Sequence, residues 1–488
     1  MEAINLGSAP GYYAKVFGSH ANCLSYPDGE RTWVQLESRA NQIARLLVEH
    51  QVVPNSFVTV ALPNGILFHE VCFAIWKVGA TPHIVSHRLP DGELSAILQL
   101  LKPAVLIGAE SRGVEGCPAL QIETANSTYS DAPLQPKVAK HWKAMSSGGS
   151  TGRPKIIVDA KSSEMDISQS LFDLPSKSCI LNPGPLYHNV PFSFSHSALA
   201  RGNRVVGMGK FDAETVLKLI QEHAVTWVMM VPTMMHRIWR LPEGIRSKYD
   251  LSSINIVGHV ASPMPVWLKE KWVEWLGPGR VYELYGGTEA TGATWMSGYE
   301  WLEHKGSVGK FINGSRSRIL DEYGNDCVPG VIGEVYLMPQ DGPGSSYHYV
   351  GARPRLVEGG WDSLGDMGWM DEDGYLYLAD RRTDLIISGG ANIYPAEVEA
   401  SLAEHAGVDT AVVIGLPDED IGQVVHAIVQ RDPEWKGDLD EVVLAAFLER
   451  RLVRYKTPRT YEFVDFSLRD DAGKVRRSAL RAERVGAS

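Results

Sequence analysis

Residues 146–155 of the sequence read Ser-Ser-Gly-Gly-Ser-Thr-Gly-Arg-Pro-Lys. Glycines without a Cβ let backbone N–H groups approach an anion closely, while hydroxyl groups and a lysine add hydrogen-bond donors and positive charge. This composition predicts a loop that wraps the oxygen atoms of a polyphosphate. The residues expected to line this phosphate loop are Ser147, Gly148, Gly149, Ser150, Thr151, Gly152 and Lys155.

Two catalytic motifs have a similar spelling. The G-x-x-x-x-G-K-[ST] loop is excluded because Gly152 is followed by Arg153-Pro154 and not by a lysine. Residues 148–152 match the G-x-S-x-G elbow of serine hydrolases, which requires a helix directly after the serine. Pro154 and the β-branched run 156–158 instead favour a strand after the turn. A plain glycine-rich surface turn stays open as an alternative for this segment alone.

The overall composition is that of a globular protein with several domains. A length of 488 residues predicts roughly two to four domains. The 44% of hydrophobic and 22% of charged residues exclude a disordered or fibrous chain. Because the formal net charge is −11, no dominant basic surface is expected, and nucleic acid is excluded as a partner.

The cysteines and the N-terminus indicate a cytoplasmic protein. The five cysteines form no C-x-x-C pair, so neither a zinc site nor a disulfide framework is expected, and a reducing compartment fits. The first residues show no basic segment followed by an apolar one, and the sequence contains no apolar run of ~18 residues. Export and membrane spanning are therefore not expected.

Hydrophobic periodicity predicts an α/β fold for the first ~380 residues. A helical spacing over 32–50 is followed by a short apolar strand over 57–62. Such alternation implies crossover connections and largely parallel sheets with helices on both faces. The same helix-then-strand pattern recurs at 67–78 and 104–107, at 213–220 and 226–231, and at 265–276 and 281–284.

A second, smaller unit begins after the charged segment 380–384. About 105 residues remain, which is a normal size for a small domain. The pattern predicts an α+β unit with strands at 385–388, 408–414, 426–430 and 461–464 and helices at 396–405 and 441–452. The charged segment is the expected domain boundary.

A second glycine and hydroxyl cluster, Tyr285-Gly286-Gly287-Thr288-Glu289, follows the strand predicted at 281–284. Ligands of parallel sheets bind at the carboxyl ends of strands, so this turn is well placed for one. Tyr285 could stack on a purine, Thr288 could donate to a phosphate, and Glu289 could hold Mg²⁺. A turn with a solvated glutamate is the alternative if the cluster is taken alone.

Two further segments carry polar groups suited to a nucleotide. Asp366, in a Gly-Asp-Met-Gly turn, and Arg381 could pair with ribose hydroxyls or a phosphate. Gly473-Lys474 lies in a polar loop beyond the last predicted strand, where a lysine could reach the site of another domain. A basic tail that only solvates itself is the alternative for this last segment.

These blocks, in this order, resemble the ANL superfamily of adenylate-forming enzymes, which includes the acyl-CoA synthetases. The resemblance covers nearly the whole chain and includes the C-terminal signature Ile386–Glu399. It implies a large ATP- and acyl-binding domain at 1–381, a hinge at 382–383, and a mobile domain at 384–488 that carries the catalytic lysine. Thr383 departs from the aspartate or lysine usual at the hinge, which leaves the resting domain orientation open.

The resemblance also implies roles for individual residues. Lys474, Thr288 and Glu289 would be catalytic, with Glu289 and Thr151 at the Mg²⁺ ion. Tyr187, His188, Phe192 and Gly287 would contact the acid, although His188 could equally be an interior histidine. Besides the phosphate loop, the contacts implied for ATP and coenzyme A are Ala261, Glu283, Tyr285, Gly286, Asp366, Arg381, Gly389 and Gly390.

By resemblance, a carboxylate attacks the α-phosphorus of ATP, and a thiol then attacks the acyl-adenylate. Residues 187–196 contain no Asp or Glu that could pair with an α-ammonium group, which disfavours amino-acid substrates. The motif spelling resembles synthetases of bulky alicyclic acids such as bile-acid or terpenoid-acid CoA ligases. Three other functions stay open: a ligase that loads a carrier protein, a luciferase-like oxygenase and a non-catalytic nucleotide-binding module. The oligomeric state is also open, and a homodimer is one option.

Overall fold

A computed structural model describes residues 3–108, 117–122, 129–148, 154–168, 170, 172–470 and 473–485. The strands of the described part are β1 Ala3–Asn5, β2 Asn22–Tyr26, β3 Gly29–Thr32, β4 Phe57–Val60, β5 Thr81–Ile84, β6 Val105–Ile107, β7 Ala119–Leu120, β8 Ala144–Gly148, β9 Pro154–Asp159, β10 Glu164–Asp166, β11 Cys179–Asn182, β12 Arg204–Gly207, β13 Trp227–Met230, β14 Ile256–His259, β15 Val281–Gly286, β16 Ala293–Ser297, β17 Arg316–Leu320, β18 Gly333–Met338, β19 Tyr347–Val350, β20 Arg355–Val357, β21 Trp361–Met370, β22 Leu376–Arg381, β23 Ile386–Ser388, β24 Ala391–Ile393, β25 Val408–Asp418, β26 Gly422–Arg431 and β27 Thr460–Val464.

Helices connect most of these strands. They are α1 Ala9–Phe17, α2 Trp33–Glu49, α3 Ile66–Lys77, α4 Asp91–Leu101, α5 Asn189–Ala200, α6 Ala213–His223, α7 Pro232–Trp239, α8 Glu243–Arg246, α9 Val266–Leu276, α10 Gly298–Glu303, α11 Pro395–Leu402, α12 Glu441–Glu449 and α13 Arg477–Val485.

Two large sheets form the body of the chain up to β16. The eight-stranded sheet has the order β16-β15-β14-β13-β11-β12-β2-β3, and its strands from β15 to β2 run parallel while β3 and β16 are antiparallel edges. The seven-stranded sheet has the order β19-β9-β8-β5-β4-β6-β7, and its strands run parallel except β9, which is antiparallel to both of its neighbours. The prediction of largely parallel sheets covered by helices is confirmed.

The largest core lies between these two sheets. Apolar side chains of α2, α3 and α5 fill it together with side chains from both sheets, and the burial of this surface is the main force that holds the sheets together. Separate clusters cover the outer faces, with α6, α7 and α9 on the eight-stranded sheet and α4 on the seven-stranded one. The eight-stranded sheet therefore has helices on both faces, which leaves the carboxyl ends of its strands as the open edge.

Four smaller sheets complete the fold of the described residues, two of them the two-stranded pairs β1-β10 and β23-β24. An antiparallel sheet of β17, β18, β21 and β20, with β22 paired to β21, follows the two large sheets. The last part of the chain forms a sheet of the order β25-β26-β27 with α11 and α12 packed on one face, and α13 contacts β25. This unit has its own hydrophobic core, as the sequence pattern predicts for a small α+β unit.

The segment after the phosphate loop is a strand. Residues 154–159 form β9, which pairs with β8 so that Ser147 lies opposite Lys155. The helix required by a serine-hydrolase elbow is therefore absent from the described residues that follow the turn. Gly149, Ser150, Thr151 and Gly152 lie outside the described residues. Among the described helices, none is long and apolar enough to cross a bilayer.

The N-terminus of α2 provides a test of how much its capping hydrogen bonds stabilise the fold. The Thr32 hydroxyl accepts a hydrogen bond from the backbone N–H of Gln35, and the Gln35 side chain accepts one from the N–H of Thr32. We expect Thr32→Ala to lower the free energy of unfolding by about 1 kcal/mol because the N–H of Gln35 loses its acceptor. Denaturant titration followed by tryptophan fluorescence measures this. Thr32→Ser is the control, since its hydroxyl keeps the cap.

Candidate active site

A tyrosine, a carboxylate and a guanidinium converge beyond the end of β15. The Tyr285 hydroxyl donates to Oδ2 of Asp366 at 2.8 Å, and Arg381 Nε lies 3.4 Å from Oδ1 of the same carboxylate. The pairing of β21 with β22 places Asp366 directly opposite Arg381. Burial raises the pKa of Tyr285 well above its usual value, so the phenol stays neutral. The aromatic ring and the paired charges form a cradle suited to a nucleoside.

Glu289 is the centre of a second polar group. Its Oε1 accepts a hydrogen bond of 2.6 Å from the Tyr349 hydroxyl and lies 3.3 Å from Nζ of Lys155. Lys155 also donates to the Tyr349 oxygen at 3.1 Å, with Nζ 4.5 Å from the ring centre. Lys155 is the second residue of β9, so this contact joins the start of β9 to the Tyr285–Glu289 turn.

The buried carboxyl group of Asp362 is linked to the Glu289–Tyr349–Lys155 group through strand β19. Oδ2 of Asp362 accepts a hydrogen bond of 2.6 Å from Tyr347, which lies two residues before Tyr349 on β19. Burial raises the pKa of Asp362, and the charge of Lys155 acts in the opposite direction. Among the described residues, no group of three or more His, Cys, Asp or Glu side chains could hold a metal ion. A magnesium ion would therefore need phosphate oxygens in addition to Glu289.

Close backbone packing shapes the turn itself. A Cβ at Gly287 would lie 2.4 Å from Leu364 Cδ1, so a larger residue in this turn requires the Leu364 side chain on β21 to move. Ala261, just beyond the end of β14, has φ of 78°, a left-handed conformation that L residues rarely adopt. Both features lie at the carboxyl edge of the eight-stranded sheet, where a ligand of such a sheet binds.

The lysine loop of the small domain docks at this edge. A Cβ on Gly473 would lie 2.8 Å from Thr233 Oγ1, so the loop touches the start of α7 in the large domain. Asp470 Oδ1 accepts a hydrogen bond of 2.9 Å from the backbone N–H of Lys474 and so fixes its position. The close approach is possible because position 473 has no side chain.

Lys474 as a residue keeps exposed surface, but many protein groups surround its ammonium group. This crowding lowers the pKa of Lys474, while the carboxylates of Asp470 and Glu289 raise it and Arg381 lowers it further. Lys474 therefore acts electrostatically on the same carboxylate as Lys155. The structure brings the lysine from the end of the chain to the Tyr285–Glu289 turn.

His188 is close enough to Lys474 for the lysine charge to act on it. It is the N-cap residue of α5, and its Nε2 is buried with no hydrogen-bond partner within the described part of the chain. Burial, together with the charge of Lys474, lowers the pKa of His188 to about 3. The imidazole is therefore neutral, and its unpartnered nitrogen is available to a group that enters the site.

Charged side chains tie the two domains together in this arrangement. Arg240, at the end of α7, donates to the carbonyl oxygen of Ala406 at 2.8 Å and pairs with Asp409 and Asp432 of the small domain. Nearer the predicted hinge, Asp380 Oδ2 accepts a hydrogen bond of 2.7 Å from the N–H of Ala396. Burial raises the pKa of Asp380 to about 6.

Two predicted site residues are placed elsewhere. Phe192 has no exposed surface and packs against His196 with ring centres 4.3 Å apart, so its packing does not support the predicted contact with the acid, which stays a prediction. Its face of α5 is turned into the core. The Glu283 carboxylate pairs with Lys269 of α9 and lies 3.6 Å from His259. Glu283 thus points to the face of the sheet that α9 covers and not to the turn that follows β15.

The remaining predicted residues lie at turns. Gly389 and Gly390 join β23 to β24 with φ of 55° and 80°, and the Gly389 N–H donates to the Ile421 carbonyl within the small domain. Thr383 is exposed beyond the end of β22, and its hydroxyl lies 3.4 Å from Asp384 Oδ1. Gly286 and Thr288 flank Gly287 in the turn, and Tyr187 lies beside His188 with ring centres 4.6 Å apart. Their predicted roles stay predictions.

Sequence reasoning missed Tyr349 and Arg240. Tyr349 lies in a short alternating segment, Tyr347–Val350, that reads only as a strand, and Arg240 follows an ordinary amphipathic helix. Neither has a glycine cluster or motif beside it. Only the pairing of β19 with β9 and the position of the small domain reveal their contacts.

Comparison with known proteins agrees with this geometry. The AMP-binding enzyme family matches residues 13–344, and the C-terminal domain of AMP-binding enzymes matches residues 397–474. The chain therefore belongs to the AMP-binding enzyme family, which confirms the resemblance to adenylate-forming enzymes.

Similar proteins include several ligases of coenzyme A. The 2-succinylbenzoate–CoA ligase of Bacillus mycoides is 30% identical over 92% of this chain and 93% of its own length. The 3-[(3aS,4S,7aS)-7a-methyl-1,5-dioxo-octahydro-1H-inden-4-yl]propanoyl:CoA ligase of Rhodococcus jostii is 30% identical over 96% of this chain and 97% of its own. The o-succinylbenzoate coenzyme A synthetase of Bacillus subtilis, solved with ATP and magnesium, has a TM-score of 0.79 at 25% identity and covers 97% of this chain and 99% of that one.

The class of activity follows from these relatives. This chain is an acid–thiol ligase of the AMP-forming type, which uses ATP, Mg²⁺ and coenzyme A. A non-catalytic nucleotide-binding module is thereby excluded.

The contact of Tyr349 with Lys155 and Glu289 provides a test of the site. We expect Tyr349→Phe to lower acid-dependent pyrophosphate release about tenfold, because two charged groups lose a shared hydrogen-bond partner in a partly buried site. A coupled pyrophosphate assay measures this loss. Tyr323→Phe is the matched control, since Tyr323 is 81% exposed. Equal rates for the Tyr349 variant and the wild type would contradict the assignment.

Proposed function

We propose that this chain activates a bulky cyclic carboxylic acid as an acyl-adenylate at the Tyr285–Glu289 turn and then transfers the acyl group to coenzyme A. The observation that carries this proposal is the convergence of Lys474, Glu289, Lys155 and the Tyr285–Asp366–Arg381 group from separate parts of the chain. A site that combines cations, a carboxylate and a nucleoside cradle can hold two anions, the acid and ATP, close enough to react.

The proposed division of labour follows the positions of the side chains. Tyr285, Asp366 and Arg381 orient the nucleoside, while the phosphate loop with Lys155 holds the phosphates. Lys474 bridges the acid's carboxylate and the α-phosphate, so that two negatively charged groups can approach each other. Glu289 and Thr151 would hold the magnesium ion, which would neutralise charge on the phosphates. The protein's task is mainly positioning and electrostatic stabilisation.

The second half-reaction needs a different use of the same site. A thiol must reach the carbonyl carbon of the acyl-adenylate, whose surroundings Lys474 occupies in the arrangement described above. We propose that the domain 384–488 turns about residues 382–383 and brings the Gly389–Gly390 turn to the site. The contacts that must break are polar ones, those of Arg240 with Asp409 and Asp432 and that of Asp380 with Ala396. Polar interfaces suit domains that move relative to one another.

Two finer points belong to the proposal. The relatives named for coenzyme A favour this thiol over a carrier protein as the acceptor. A cytoplasmic location is supported by five cysteines that are all free thiols. The molar mass of the purified chain, measured by light scattering, tests whether it forms a homodimer.

Lys474 gives the sharpest test of the proposed mechanism. We expect Lys474→Ala to lower acyl-adenylate formation roughly 10²- to 10³-fold, because one transition-state donor is removed from a crowded site. Formation of the thioester from supplied acyl-adenylate should stay within about twofold of the wild-type rate, since Lys474 has left the site in that step. Pyrophosphate release and thioester formation are measured separately.

The control for this experiment is Lys436→Ala, which removes an exposed lysine of the same domain. Both half-reactions should remain unchanged in that variant. An equal loss of both half-reactions in Lys474→Ala would refute the role assigned to Lys474.

A further inference from the structure

A wall of aromatic side chains lies beside the proposed adenylate site. Phe172, Phe194, Tyr282 and Trp295 pack against the largest core but keep part of their surface exposed. Phe172 contacts both Phe194 and Trp295, with ring centres 5.7 and 5.6 Å apart, and Trp295 stacks on Tyr282 at 4.8 Å. We refer to these four residues as the aromatic wall.

The aromatic wall is continuous with the site. Trp295 lies on β16 directly opposite Leu284, the residue before Tyr285. A Cβ on Gly258 would lie 3.3 Å from the Trp295 ring and 2.7 Å from Met229, so β14 also passes close to the wall three residues before Ala261. Phe194 belongs to α5, whose N-cap is His188. An acid bound with its carboxylate near Lys474 would therefore extend its ring system towards this wall.

A strained loop supplies one end of the wall. Phe172 and Asp173 have φ of 57° and 50°, two consecutive left-handed conformations without a glycine, and such strain persists only where surrounding contacts hold it. Two indoles provide these contacts. Trp227 Nε1 donates to the Phe172 carbonyl at 3.2 Å, and Trp295 Nε1 donates to Asp173 Oδ2 at 2.8 Å.

The charges at the outer end of the wall are negative. Asp173 is bonded to Trp295, and Glu300 lies in the first turn of α10 directly after β16, where it accepts hydrogen bonds from Ser297. Burial raises the pKa of Tyr282, and both of these carboxylates raise it further. The charged groups that act on the Tyr282 hydroxyl from within the described residues are thus all anionic. A phenol or alcohol can donate to this end, whereas an anion is repelled.

We propose that the aromatic wall holds the ring system of the acid, and that Asp173 and Glu300 exclude acids with a second negative charge at the far end of the ring. This inference rests on the proposed function and names the class of its substrate: a cyclic monocarboxylic acid whose far end is uncharged or donates a hydrogen bond. It separates this chain from relatives named for 2-succinylbenzoate, which is a dianion. Asp173 and Glu300 are specificity-determining residues in this view and take no part in the chemical step.

Three matched acids test the proposal. 3-Phenylpropanoate, 3-(4-hydroxyphenyl)propanoate and 3-(4-carboxyphenyl)propanoate share one frame and differ only at the far end of the ring. We expect kcat/KM for pyrophosphate release to be at least about tenfold lower for the carboxyl compound than for the other two. In the double variant Asp173→Asn, Glu300→Gln, this ratio should fall to about threefold or less, because the negative charges are gone while the shapes remain.

The double variant is designed to keep the structure. The amide introduced by Asp173→Asn retains an oxygen that accepts from Trp295 Nε1, and the amide introduced by Glu300→Gln retains the capping interaction at the start of α10. Glu322→Gln, at an exposed turn remote in sequence, is the control and should leave the ratio unchanged. Equal kcat/KM for the three acids in the wild type, or an unchanged ratio in the double variant, would overturn the inference.

Failure of the proposed function has a different signature. It would show as no pyrophosphate release with any of the three acids or with other cyclic acids. If no pyrophosphate is released, calorimetric titration of each acid into the protein still measures the three dissociation constants. Weaker binding of the carboxyl compound that the double variant relieves supports the charge selection by itself, and equal dissociation constants overturn it.

Discussion

The contact between Gly473 and Thr233 is the constraint on which the site depends. The nucleoside cradle and Glu289 belong to the large domain, whereas the lysine arrives from the last part of the chain. A Cβ at position 473 would lie 2.8 Å from the Thr233 hydroxyl, and the φ of 74° there is one that residues with a Cβ rarely adopt, so glycine favours the approach that brings Lys474 near Glu289. One missing Cβ therefore couples the position of a whole domain to the chemistry of the site.

The electrostatics of the site follow from the same convergence. Glu289 balances two lysines that come from opposite directions, Lys155 from the phosphate loop and Lys474 from the small domain. Tyr349 adds a neutral hydrogen bond to this group and stays protonated because burial raises its pKa. The three cations Lys155, Lys474 and Arg381 make the site locally suited to anions, which the net charge of −11 on the chain as a whole repels.

The contacts between the two domains are of a kind that can break and form again. Its described links are ion pairs and single hydrogen bonds, such as those of Arg240 and Asp380, and not a continuous apolar core. The large core and the core of the small domain are separate clusters. Each domain is thus stabilised by its own buried surface, while their relative position depends on contacts that water can replace at low cost. In the aromatic wall, by contrast, the rings of Phe172, Trp295 and Tyr282 pack against one another and hold each other in place.

The sequence by itself determined the elements and the motifs, because both are local properties. Hydrophobic periodicity located the helix–strand alternation, and glycine and hydroxyl composition located the phosphate loop, the Tyr285–Glu289 turn and Lys474. The tertiary structure decided which faces these elements present and which distant strands meet. It turned Phe192 into the core and Glu283 towards Lys269, and it brought Tyr349 to Glu289 and Asp173 to Trp295 from segments without any motif. The physical reason is that strand pairing and domain docking join residues far apart in sequence, and no local pattern records those partners.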